Sequence, residues 1–184
     1  MDPVAIVVIV VLLLAVLAGA LWFAGRQRRQ RLQHRFGPEY ERKVAERGDR
    51  REAERHLRDV AERRDKLDIR PLPPEARDRY AAEWTQVQAT FVDQPGPAVD
   101  AADVLVARVM RERGYPVEDF ESRAELAATD HPDVVEHYRA AHAIHARNAN
   151  STADTEELRE AFVHYRALFD VLLRDSARGG ERTS

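Results

Sequence analysis

Residues 4–24 read VAIVVIVVLLLAVLAGALWFA, 21 residues without a charge, a side-chain amide or a hydroxyl. At about 1.5 Å rise per residue such a stretch makes a helix of roughly 31 Å, the thickness of a bilayer's hydrocarbon core, with every backbone polar group bonded within the helix. The run therefore predicts a membrane anchor over residues 1–25, with the rest of the chain hanging from one end of it. Asp2 is placed to cap the helix and Pro3 suits its first turn, where a missing N–H costs nothing.

The flanks predict the orientation. No Lys or Arg precedes the run, whereas RQRRQRLQHR follows it, with Arg26, Arg28, Arg29, Arg31 and Arg35 and no acid. Basic side chains are retained on the cytoplasmic side and attracted to anionic headgroups. The N-terminus is thus expected outside the cell membrane and the remainder in the cytoplasm, with residues 4–35 in contact with lipid. Trp22 and Phe23 fall at the inner boundary. The competing reading is a cleaved signal peptide ending near Ala18-Gly19-Ala20, but Met1-Asp2-Pro3 lacks the basic n-region that such a peptide needs.

Beyond the anchor the chain divides by charge. The segment 26–70 carries 16 basic and 10 acidic residues, a balance of +6; residues 71–184 carry 13 and 21, a balance of −8. The first is expected to lie against anionic lipid and the second to be repelled from it. Acids interleave the basic residues every few positions, which argues against nucleic acid as a partner. There is no cysteine, so disulfides, thiolate metal sites and cysteine nucleophiles are excluded. With 27 Arg against two Lys and abundant Ala, the composition points to a GC-rich bacterial genome.

Periodicity predicts an all-α fold, a transmembrane helix followed by an antiparallel helical bundle, and no run alternates strictly as a strand would. A short helix is expected over 39–46, ended at Gly48. Asp49 and Glu52 form a capping-box pattern that opens a second helix to about Leu67, with a thin stripe of Ala53, Leu57, Val60 and Leu67 interrupted at Arg64. The spacing suits either a charged helix lying on the bundle or a short self-associating seam. The segment 67–74, LDIRPLPP, reads as an extended linker that starts the next helix at Pro74.

From there the bundle proper is expected over 71–176. Tyr80, Trp84, Val87 and Phe91 recur at helical spacing over 74–92, and DQPGP at 93–97 reads as a turn. Ala102, Leu105, Val106, Val109 and Met110 line a helix over 98–113 that stops at Gly114. Phe120, Ala124, Leu126 and Ala127 serve a helix over 117–128; Val134, Tyr138, Ala141 and Ile144 serve one from His131-Pro132 to about Asn148. Asp154 and Glu157 repeat the capping box before a last helix on Leu158, Phe162, Tyr165, Phe169 and Leu172, ending near Asp175. Residues 177–184 are expected as a disordered tail.

Several of these stretches are similar to a bacterial family of single-pass membrane proteins with a helical cytosolic domain: RFGPEYERKV at 35–44, LDIRPL at 67–72, RYAAEWTQVQATFVDQPGPAV at 79–99, VARVMRERGYPVEDFESRA at 106–124 and DHPDVVEHYRAAHAI at 130–144. The resemblance implies the architecture and carries no activity, cofactor or site residue with it.

Chemistry is sparse. There is no phosphate loop, dinucleotide fingerprint or nucleophile elbow, and the acids Glu118, Asp119 and Glu121 read as a solvated helix face. The chain is accordingly expected to be no enzyme and to need no cofactor, but to act as a membrane-tethered cytosolic interaction or scaffold module with an unknown protein partner, and self-association as a further option. The alternative is a metal-dependent or metal-sensing domain. Five of the seven histidines lie between 131 and 164, and His-Tyr-Arg-Ala occurs at both 137–140 and 164–167. If the last two helices form an antiparallel hairpin about residue 151, Tyr138 meets Tyr165 across the core, and His137 and His164 share one flank. With Glu160 one turn before His164, these are candidate metal ligands, although the spacing matches no established zinc motif. The same pair is also a candidate pH-responsive contact.

Overall fold

The computed structural model describes the backbone of residues 3–116, 118–150 and 152–181; the side-chain surroundings of residues 3–11, 14, 15, 21 and 177–181 lie outside that description. Among the described residues there are eight helices and no strand: α1 (Pro3–Phe36), α2 (Pro38–Arg47), α3 (Arg50–Lys66), α4 (Pro74–Asp93), α5 (Pro95–Arg113), α6 (Phe120–Asp130), α7 (Pro132–Ala149) and α8 (Thr155–Glu181).

The four-helix body is set by the aromatic and aliphatic stripes. α4, α5, α8 and α7 pack side by side in that order. Tyr80 and Trp84 of α4 are buried, with Val87 and Phe91 packed at the margin. The Trp84 ring stacks on Phe169 at 4.6 Å and leans on Phe162 at 5.1 Å, and Phe91 meets Phe162 at 4.9 Å. All five apolar positions expected of α5 are buried, as are Leu158, Phe162, Tyr165, Phe169 and Leu172 of α8. On α7, Val135 is buried rather than Val134, together with Tyr138, Ala141 and Ile144.

Helix ends follow local chemistry, with three departures from expectation. At the start of α8, Asp154 Oδ1 accepts from the Glu157 N–H at 2.8 Å while Glu157 Oε2 accepts from the Asp154 N–H at 3.0 Å, the reciprocal box the spacing predicts. α5 begins at Pro95, because the residues expected as a turn, Pro95-Gly96-Pro97, lose no hydrogen bond in a first helical turn. α6 begins only at Phe120, where Asp119 caps the Ser122 N–H at 2.8 Å; Val117, the expected start, lies outside the described residues. The backbone of α8 runs on to Glu181, where a loose tail was expected from Ala177. Residues 182–184 lie outside the described residues.

Buried residues of segment 26–70 lie in one apolar cluster with those of 71–176. Leu32 and Phe36 at the end of α1, Tyr40 of α2, and Ala53, Leu57 and Val60 of α3 are buried, all but Ala53 in the same cluster as the bundle residues. The α3 stripe is therefore occupied within the molecule. Arg64, which interrupts it, donates from Nε to Asp130 at 2.5 Å; Tyr115 donates its hydroxyl to the same carboxylate. The linker is extended and docks on the end of α5, with the Arg70 N–H donating to the Arg113 carbonyl at 2.8 Å. That approach requires Gly114: its φ is +100°, and a Cβ there would stand 2.6 Å from the Asp68 carbonyl oxygen.

A buried ionic network welds α2 to α6 and α7. Glu39, 1% exposed, accepts from Arg139 Nε and Nη2 at 3.0 and 2.9 Å and from Arg42 Nε and Nη2 at 3.0 and 2.5 Å. Lys43, 2% exposed, lies 2.6 Å from Glu125, 2.7 Å from Glu121 and 3.1 Å from Glu46. Burial pushes the Glu121 carboxyl up, but hydrogen bonds from Arg139, Lys43 and Arg42 outweigh it and hold it well below the usual carboxylate range. Such a network is unstable if incomplete, because each removed partner leaves a desolvated charge.

Candidate functional site

Two surfaces carry candidate function: the emerging end of α1, and a histidine-bearing face made by α5, α7 and α8. On α1, Leu12, Leu13, Val16, Leu17, Trp22 and Phe23 are all exposed. At about 100° per residue they cover well over half the helix circumference, more than one packing partner would occupy. Among the described residues no helix is long and apolar enough to cross a membrane; much of the apolar run, the side chains of residues 4–11, 14, 15 and 21, lies outside them.

The five arginines expected at a membrane surface separate into two groups. Arg26, Arg28 and Arg31 are exposed and Arg29 half-buried, spread around the helix; the Arg26 guanidinium lies over the Trp22 ring at 5.7 Å. Arg35 is instead turned to the fold and paired with Asp65 at 2.5 Å. Leu32, within this arginine collar of residues 26–35 and directly after Arg31, is already buried.

On the second surface, α7 and α8 form the antiparallel hairpin at the expected register. The Tyr138 and Tyr165 rings meet edge to face at 6.3 Å, and His137 and His164 lie beside them with their Nδ1 atoms 2.9 Å apart. A hydrogen bond between two Nδ1 atoms requires one ring to donate and the other to accept. Glu160 does not join them on the same side: its Oε1 lies 3.4 Å from His164 Nε2, the opposite edge of that ring. His137, His164 and Glu160 thus form a line through the His164 imidazole and do not enclose a common point.

The side chains that do converge are Asp103 of α5 and His142 and His145 of α7, with one ligand-capable atom from each all within 4.8 Å of one another. His142 and His145, three apart, share a helix face, and Asp103 faces them from α5. The Tyr165 hydroxyl donates to Asp103 Oδ1 at 2.9 Å, and His142 Nδ1 lies 3.6 Å from the same oxygen. His145 Nε2 lies 3.3 Å from Asp100 Oδ1, one turn earlier on α5. Phe120 stacks on His142 at 3.6 Å, with the ring planes 8° apart, and fixes its orientation. Burial raises the Asp103 carboxyl, but its contacts with His142 and Tyr165 and the nearby His145 ring outweigh it and leave it lowered. The Tyr165 hydroxyl is pushed far up, by burial first and then by Asp103.

Asp103 has no sequence motif to mark it. The available signal was a carboxylate within the otherwise apolar run AADVLVA at 101–107, combined with the i, i+3 histidines of α7; joining them required the α5–α7 packing. Comparison of the chain with family models, curated proteins and solved structures returns no match.

Proposed function

We propose that the chain is a membrane-tethered helical module, anchored through residues 4–24 with its bundle at the cytoplasmic face, where it acts as a scaffold for another protein. The observation that carries this reading is the continuity of α1, one helix from Pro3 to Phe36 that passes from the apolar run through the arginine collar into the core at Leu32 and Phe36. From Ala24 to Leu32 the axis advances about 12 Å, enough to clear the roughly 5–8 Å of headgroup layer on one side of a bilayer with about 4–7 Å to spare. The collar would then lie among the headgroups, with the bundle directly beneath and unable to swing freely as it would on a flexible linker. The charge balance of +6 near the anchor and −8 beyond supports the same placement.

The tether is tested by alkaline extraction of membranes from cells expressing the full chain. The expected result is retention in the pellet, lost when Leu13 and Leu17 are both replaced by Arg; release of the unsubstituted chain contradicts it. Partner binding is tested by placing a photo-crosslinking amino acid at exposed Val92, Val104 or Val163 of the full chain in its own cells. A discrete adduct with one protein at any position supports the scaffold role. Absence of adducts at all three contradicts it.

A further inference from the structure

We propose that Asp103, His142 and His145 form a binding site for one divalent transition-metal ion of zinc type. The site goes beyond the tether reading and does not depend on it. Two neutral imidazoles and a carboxylate are the borderline-soft donor set that zinc and its neighbours take, with water free to complete a four-coordinate shell. Tetrahedral zinc with bonds of about 2.0–2.1 Å holds its donor atoms roughly 3.4 Å apart. The 3.6 Å between His142 Nδ1 and Asp103 Oδ1 is already close to that separation, and the 4.8 Å limit on the whole set leaves His145 a small rotamer adjustment away.

Three features of the surroundings fit a metal better than a simple ion pair. The Nδ1 atoms of both His142 and His145 are shut off from water and have no hydrogen-bond partner, a cost that coordination would relieve. The carboxylate of Asp100 stands against His145 Nε2 at 3.3 Å, and Tyr165 donates to Asp103. Carboxylate–imidazole and hydroxyl–carboxylate contacts of this kind orient ligands in metal sites. The stacked Phe120 ring removes the remaining freedom of His142. Because Asp103 lies on α5 and both histidines on α7, a bound ion would also clamp these two helices together.

The experiment is a zinc titration of the full chain, purified without a histidine tag in detergent micelles, by competition with a chromophoric chelator. One equivalent should bind, and the unfolding midpoint should rise with zinc concentration. His142→Gln and His145→Gln should each weaken binding at least 100-fold with helical circular dichroism unchanged. Asp100→Asn, at an exposed position where the amide oxygen can still accept from Asn148, should weaken it about 10–100-fold. The double variant His137→Gln, His164→Gln should stay within threefold of the parent. Absence of saturable binding at one equivalent, binding that survives His142→Gln and His145→Gln, or binding lost with His137 and His164 would each overturn the assignment.

Discussion

Replacing Glu39 by Gln should loosen the joint between α2–α3 and the bundle, because that carboxylate is the point at which α2 is bonded to α7. The Glu39 carboxylate accepts four hydrogen bonds from two guanidinium groups, and an amide in its place retains one acceptor oxygen while turning an NH2 group toward two donors. Breaking a buried ion pair by removing one partner costs about 3–5 kcal/mol. Here the cost is reduced, since Arg139 and Arg42 both keep Glu121, at 2.6 and 2.8 Å, and Arg42 is partly in water. We expect a loss of about 2–4 kcal/mol, which at 2–4 °C per kcal/mol for a chain of this size lowers the unfolding midpoint by roughly 4–16 °C. Thermal unfolding of the full chain in detergent micelles reads the midpoint, and amide exchange locates the change. Protection should fall across 38–66 while α4 and α5 are affected less. A double-mutant cycle with Arg139→Gln should show coupling above about 1 kcal/mol. A loss below about 0.5 kcal/mol, the range of exposed surface pairs, would refute the reasoning.

Gly114→Ala should cost about 2–4 kcal/mol, combining left-handed strain with displacement of the linker backbone at Asp68, whereas Gly48→Ala, at φ +69° with open space around it, should cost only about 1–2 kcal/mol; paired denaturant titrations check the difference. Burial lowers the proton affinity of His131, Asp175 and Asp130 oppose that shift, and Arg113 and Arg64 add to it, leaving the ring below its ordinary value. The unfolded chain then binds the extra proton more readily, so this contribution is fully present above pH about 6.5 and is lost as pH falls toward the folded value. His131→Gln should flatten the stability profile between pH 6.5 and 5. Asp154→Ala should cost about 0.5–2 kcal/mol by removing the α8 cap, measurable as earlier exchange of the first-turn amides.

The helices were legible wherever a stripe of large side chains recurred at 3.6-residue spacing. Tyr80 and Trp84, the α5 run and the α8 series occupy the core as their periodicity predicts, and the Tyr138–Tyr165 register followed from a repeated tetrapeptide and a loop position. Polar helix starts were less legible: Pro95-Gly96-Pro97 has the composition of a turn, yet proline is equally at home in a first helical turn. The association of 26–70 with the bundle was hidden because its apolar residues are few; the weld is made by Glu39, Lys43 and Glu125, which in sequence resemble solvated charges. At the candidate site the single-helix element was readable and the cross-helix one was not. His142 and His145 share a face by spacing alone, but Asp103 reaches them only through packing, and the flank shared by His137 and His164 does not reveal that Glu160 lies on the far edge of one ring.

The proposed placement of the bundle at the cytoplasmic face of a membrane is tested most directly by a single reporter thiol, since the chain has no cysteine of its own. With Gln86→Cys on the exposed face of α4, a membrane-impermeant maleimide added to intact cells should leave the full chain unlabelled, and the same reagent should label it fully after lysis. Labelling in intact cells would put the bundle outside and contradict the cytoplasmic-face account.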